Sequence, residues 1–286
     1  MKCSIAASLC LLTATASLLR AVDPGDVDAA RKLFTEKQSA VVAVSAVVKL
    51  QISVGGQNQS QEQSVEMLGT VINEQGLTLV AYSALDLSSQ VKAQVKGKIP
   101  ANMKLEVKSD FKEVKLILSD GEEVPGDVVL KDEDLDVAFI RPDPASDEFK
   151  AAKWSPVSLT PPPAEPQVLD EVVILERFGK DLGRKASVNF ARIVTILTKP
   201  RNFYVVNDNN AGTPVFDLKG NLLGIFVRRI FEKSAATPVI MPVKDLVDLA
   251  KQAEAAPAPK KEETEEKKPE AAAPTPGTES EPKKDE

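Results

Sequence analysis

The sequence predicts an all-β protein, a barrel or sandwich with few helices. Three observations carry that expectation. About a dozen short runs rich in Val, Ile, Leu and Thr recur between residues 41 and 241, bounded by Gly, Asn, Gln or Pro, and runs of that length and composition form strands. Turn signals such as Asp120-Gly121 and Lys219-Gly220 fall between neighbouring runs, where a chain must reverse. Aromatic residues are only 5% of the 286 positions against an apolar share of 43%, so the core is built mainly from aliphatic side chains, which suit pleated surfaces.

The elements follow in order. Residues 1–21 read as an export leader: Lys2, then an apolar and small run from Ile5 to Leu19, with a cleavage triplet at Ala14-Thr15-Ala16 or a cut after Ala21. That run is short for a membrane span, so the mature chain is expected in a periplasm or outside the cell. Asp26 to Glu36 spaces Val27, Ala30, Leu33 and Phe34 along one face of a short helix. Strands are expected at Val41–Val54, Glu66–Ile72, Leu77–Tyr82, Val114–Leu118, Val124–Leu130 and Asp136–Ile140. A stretch with five prolines, Ser155 to Gln167, connects these to a second set. That set comprises Glu171–Leu175, Ser187–Leu197, Phe203–Val206, Thr213–Phe216, Leu222–Val227 and Thr237–Met241, closed by a helix from Val243 to Ala250.

From Lys251 to Glu286 there is no Val, Leu, Ile or aromatic residue. Such a segment cannot bury enough apolar surface to offset its ordering entropy, and a solvated, disordered tail is expected. The organisation is thus a leader at 1–21, a globular domain at 22–250 and a tail at 251–286. The Lys-containing stretch from Leu87 to Asp110 is expected as an exposed insertion.

Composition excludes several kinds of function. A formal charge of −6 disfavours nucleic acid, which needs a basic face. With no His there is no imidazole base or ligand, and both cysteines, Cys3 and Cys10, fall in the leader. No disulfide, metal, cofactor or thiol nucleophile is expected in the mature chain.

Three segments carry more specific information. The first runs from Gly69 through Gly76 to Tyr82-Ser83-Ala84-Leu85, a Gly-bounded hairpin leading into a strand. The second runs from Val114 through Asp120-Gly121 to Asp134-Leu135-Asp136-Val137-Ala138-Phe139-Ile140. The third is Asn209-Asn210-Ala211-Gly212-Thr213-Pro214, followed by a hairpin turning at Lys219-Gly220. In this order they resemble the three signatures of trypsin-like serine proteases of the Deg/HtrA kind.

The resemblance implies two six-stranded antiparallel β-barrels of the chymotrypsin/trypsin-like fold, with short N- and C-terminal helices. It also implies a triad with its chemistry removed. Ser83 stands at the position of the catalytic His, Asp136 matches the carboxylate, and Ala211 stands where the nucleophilic Ser belongs. Asn209, Asn210 and Gly212 are the equivalents of the oxyanion loop, with Asn209 replacing a Gly. A triad needs an imidazole to take the hydroxyl proton, so the expectation is a catalytically inactive pseudoprotease, not an enzyme. It would bind an extended peptide or an envelope protein, or act as a scaffold. The alternative is a Deg/HtrA-type serine endopeptidase with a rearranged active site. The family's usual PDZ domain has no counterpart where the tail begins, so the oligomeric state is left open.

Overall fold

The computed structural model describes residues 23–95, 104–199, 201–230 and 236–257. The expected leader and most of the expected tail lie outside the described residues.

The chain opens with helix α1 (Pro24–Lys37). Asp23 caps it, its carboxylate accepting from the Gly25 N–H at 2.8 Å, and Pro24 sits in the first turn, where its missing N–H costs nothing. Six strands follow: β1 (Val41–Val54), β2 (Gln57–Val71), β3 (Thr78–Ala81), β4 (Leu105–Ile117), β5 (Glu123–Asp132) and β6 (Val137–Pro142). They close into an antiparallel barrel in the order β1-β2-β3-β6-β5-β4. Between β3 and β4 lie a single helical turn, α2 (Tyr82–Leu85), and α3 (Ser88–Val95). A short α4 (Asp147–Ala151) precedes the proline-rich connector.

The second half contains β7 (Glu171–Arg177), β8 (Ala186–Arg192), β9 (Thr195–Leu197), β10 (Phe203–Val205), β11 (Pro214–Asp217), β12 (Leu222–Ile230), β13 (Ala236–Pro242) and helix α5 (Val243–Ala255). Its sheet has seven strands in the order β8-β7-β11-β12-β13-β10-β9. The two outermost strands are consecutive in the chain, separated only by Ile193 and Val194. At this bend Ile193 donates to Asp170 O at 3.0 Å and accepts from Leu169 N–H at 2.8 Å, while Val194 donates to Val205 O at 2.8 Å. The segment expected as one strand, Ser187–Leu197, is therefore one bent strand shared by both ends of the sheet. Counted so, the second half is also a six-stranded barrel.

Three apolar clusters account for the strand composition. One fills the first barrel with Val42, Val80, Leu116, Ala138 and Ile140. Another fills the second sheet with Val172, Ile174, Phe226 and Ile240. A third lies between them, joining Leu79, Val137 and Phe139 to Val173, Phe216, Ile225, Val227 and Met241. Successive residues of β6 thus alternate between two cores, Val137 and Phe139 outward, Ala138 and Ile140 inward. Strands buried on both faces read as continuous apolar runs, which is why these were so plain in the sequence.

Three expectations need correction. The final helix does not stop at Ala250, nor does the tail start at Lys251. α5 runs to Ala255, because Ala253 is fully buried and the Arg141 guanidinium donates to the carbonyls of Ala253, Glu254 and Ala256 at 2.5–3.0 Å. The stretch from Leu87 to Asp110, of which 96–103 lie outside the described residues, is not an exposed insertion where it is described. Leu87, Ser88 and Val107 are buried, and Leu105 to Asp110 pairs with β1 in the register Leu105↔Val54 to Asp110↔Lys49. Finally, β2 begins nine residues earlier than expected, at Gln57, and pairs with β1 without a register shift from Val54↔Gln57 to Val41↔Thr70.

Candidate active-site junction

The site is assembled where the two halves meet. Asp136 occupies the turn before β6, with its amide donating to Glu133 O at 3.3 Å and its backbone in the left-handed region at φ 58°. Asp tolerates that conformation better than most residues. The turn aims the carboxylate at the end of β3. There Oδ1 accepts the Ser83 N–H at 2.6 Å, and Oδ2 accepts the Ser83 hydroxyl at 3.2 Å. Oδ2 also accepts the Arg228 N–H of β12 at 2.5 Å. The carboxylate is thus a staple between the halves. Burial is the dominant influence and pushes the Asp136 carboxyl above the usual carboxylate range, although the bonds from Arg228 and Ser83 pull the other way.

The nucleophile-loop segment approaches the same strand ends. Gly212, at φ +90°, lies so close to β2 that a Cβ there would sit 2.1 Å from Leu68 O and 3.7 Å from Ala81 N. Its amide donates to Phe226 O at 2.8 Å, and its carbonyl accepts the buried Thr70 hydroxyl at 2.7 Å. Only Gly fits both the backbone angle and the clearance. Ala211 and Gly212 form a turn in which Asn210 O accepts from the Thr213 N–H at 3.3 Å and from the Thr213 hydroxyl at 2.6 Å. The structure therefore brings Ser83 and Asp136 into direct contact and tethers Gly212, beside Ala211, to Thr70 of β2, the strand paired with β3.

The loop that the family resemblance equates with the oxyanion hole is occupied from within. Asp208 Oδ1 accepts the Asn209 N–H at 2.6 Å, and Asp208 Oδ2 accepts from Asn189 Nδ2 at 2.5 Å. A carboxylate thus sits on the amide that the family resemblance assigns to oxyanion binding, where a second anion is repelled. On neighbouring β7, burial pushes the Glu176 carboxyl upward. A hydrogen bond from Asn210 opposes that shift, and the Asp208 charge adds to it. Sequence reasoning did not single out Asp208, Asn189, Glu176 or Thr70. The Arg228 contribution is a backbone amide, for which no side-chain signal exists.

A cavity of about 390 Å³ is lined by Asn73, Leu77, Arg141, Phe149 and Glu254 among others. It includes none of the candidate site residues. Among the described residues no group of three or more His, Cys, Asp or Glu is placed to hold a metal ion.

A family model described as the trypsin-like peptidase domain matches residues 68–225, from the first signature to the hairpin after the third. The chain belongs to the trypsin-like peptidase family. Solved structures agree at the level of the fold. The trypsin-like peptidase chain is 16% identical to one titled "HtrA-type protease AlgWS227A with tripeptide", with a TM-score of 0.50, 78% of this chain and 62% of that one being covered. It therefore spans less than two thirds of that protein. A second, "Crystal structure of Deg5", is 14% identical at a TM-score of 0.50, covering 78% of this chain and 92% of that one. No curated protein matches significantly.

Proposed function

We propose that this trypsin-like peptidase homologue is a catalytically inactive pseudoprotease that binds an extended peptide or a protein segment in the cell envelope. The observation that carries the reading is the junction's composition. The hydroxyl of Ser83 lies on Asp136 where the family resemblance places an imidazole, Ala211 offers a methyl group where it places a nucleophile, and the chain contains no His at all. Loss of the Ser or the His alone typically costs about 10⁶ in turnover. What then survives is oxyanion stabilisation, worth roughly 10²–10³ per donor, and here the Asn209 amide is already bonded to a carboxylate.

The framework, by contrast, is kept. Thr70, Gly212 and the Asp136 staple hold the two halves in the protease arrangement, and a sheet edge beside such a junction can pair with extended chain whether or not anything is cut. One structural relative was solved with a tripeptide, which fits a ligand of this class.

A rearranged serine endopeptidase is the second reading, favoured by the Ser83 hydroxyl donating to Asp136, since a hydroxyl beside a carboxylate is a nucleophile beside a base. One experiment separates the two. The purified full chain is incubated with casein and an active-site fluorophosphonate, and with a library of fluorescent extended peptides. Peptide binding without cleavage and without labelling is expected. Labelling that disappears in Ser83→Ala would establish the second reading instead.

A further inference from the structure

β2 continues well beyond the barrel. It pairs with β3 only through Gly69, Thr70 and Val71, whereas its pairing with β1 extends to Gln57. From Gln57 to about Val65 no strand among the described residues lies on its other side. Residues Gln57 to Ser64 are all exposed. A row of unpaired N–H and C=O groups of this length is a template for pairing with another chain, and edge strands are normally blunted by Pro, Lys, a bulge or shortness. None of these is present. The segment reads QNQSQEQSV, without Pro or Lys, its register with β1 is unbroken, and its one charge is Glu62. On one face stand Gln57, Gln59, Gln61 and Gln63, and on the other Asn58, Ser60, Glu62 and Ser64.

We propose that this edge is a self-association site, in which β2 pairs antiparallel with β2 of a second copy about a two-fold axis at Gln61. The choice of a second copy rests on self-complementarity. With Gln61 opposite its own symmetry mate, Gln59 faces Gln63, Ser60 faces Glu62, Asn58 faces Ser64 and Gln57 faces Val65. Neither carboxylate meets another, and nearly every facing pair can exchange side-chain hydrogen bonds, the cross-strand unit of sheet stability. Such an isologous contact uses one patch twice and joins two β4-β1-β2 ribbons into a continuous six-stranded sheet. The site is independent of the peptidase-like junction.

The two-fold position makes the test direct. Analytical ultracentrifugation of the full chain over a concentration series is expected to show a monomer–dimer equilibrium, with amides of residues 57–65 protected from hydrogen exchange in the dimer. Gln61→Lys sets two ammonium groups opposite each other and Gln61→Glu two carboxylates. Each variant alone is expected to lose the dimer while keeping the wild-type circular dichroism spectrum, and the melting temperature of the wild type at dilutions where it is monomeric, and an equimolar mixture of the two to regain the dimer. A wild-type chain that stays monomeric at every concentration overturns the proposal, including one whose edge pairs only with added peptide. So does a dimer that Gln61→Lys leaves intact.

Discussion

At Asp136 two requirements compete. Burial opposes ionisation, yet the backbone amides of Ser83 and Arg228 both need an acceptor, and a carboxylate supplies two oxygens where an amide supplies one. Asp136→Asn leaves one of those buried N–H groups facing an NH₂, and an unmet buried donor costs about 1–3 kcal/mol. Ser83→Ala removes the longer, hydroxyl bond to Asp136 and keeps the backbone one, and is expected to cost about 1 kcal/mol or less. Urea unfolding of both variants checks the ranking, and a larger loss in Ser83→Ala contradicts the staple. The pH dependence has a definite sign. A carboxyl whose folded pKa is raised binds its proton more tightly when folded, so its contribution falls as pH climbs from the ordinary carboxylate range through the raised value. The deficit of Asp136→Asn is therefore expected to be larger at acid pH and to shrink towards neutrality. Ser83 and Asp136, which the structure brings into contact, were legible because each sits in a motif of its own. The partners of Asp136 and the Asp208–Asn209 bond were not, since a backbone amide has no signature and a bond from Asp208 to its neighbour depends on loop conformation.

Among the elements, α5 shows what anchors the end of the domain. The last two turns carry too few large apolar residues to look structured in sequence, and composition alone put the boundary at Lys251. What holds them is tertiary: Ala253 packs into the central cluster, Asn73 donates to Glu254 at 2.9 Å, and Arg141 takes three C-terminal carbonyls, the groups a helix leaves without internal partners. Truncation after Gln252 is thus expected to destabilise the domain, and truncation after Pro257 to leave it unchanged. Arg141→Ala is expected to cost about 1.5–3 kcal/mol, the range for hydrogen bonds to charged groups, and to speed hydrogen exchange in α5 selectively. Equal melting temperatures for the two truncations would contradict this account. The same logic explains β1 and β2. β1 was read to the residue because its apolar run is continuous, while the outer half of β2, Gln57 to Ser64, is exposed on both faces and carries Gln, Asn and Ser, which have no periodic apolar signal to detect. In β4, charged residues between Leu105, Val107 and Phe111 hid an alternation that the pairing with β1 makes plain.

For the whole molecule, the central cluster decides how independent the two barrels are. Each has its own interior, but Leu79, Val137 and Phe139 of the first are buried against Phe216, Ile225, Val227 and Met241 of the second, and further ties cross at Thr70–Gly212 and at Arg177, whose guanidinium donates to Val41 O at 2.9 Å. An interface that is apolar, buried and continuous with a core leaves neither half a complete hydrophobic surface of its own, so the halves are expected to unfold as one cooperative unit. Phe139 is fully buried there, and its ring belongs to the shared cluster and not to the barrel whose strand bears it. Phe139→Ala is expected to cost about 3–5 kcal/mol. It is also expected to lower hydrogen-exchange protection equally in β1 and in β13, elements of opposite barrels. Calorimetry should give a single transition whose calorimetric and van't Hoff enthalpies agree, the mark of two-state unfolding. If β13 kept wild-type protection while β1 lost it, the barrels would be separable units, and the junction at Ser83, Asp136 and Ala211 would have to be held by its polar staples alone.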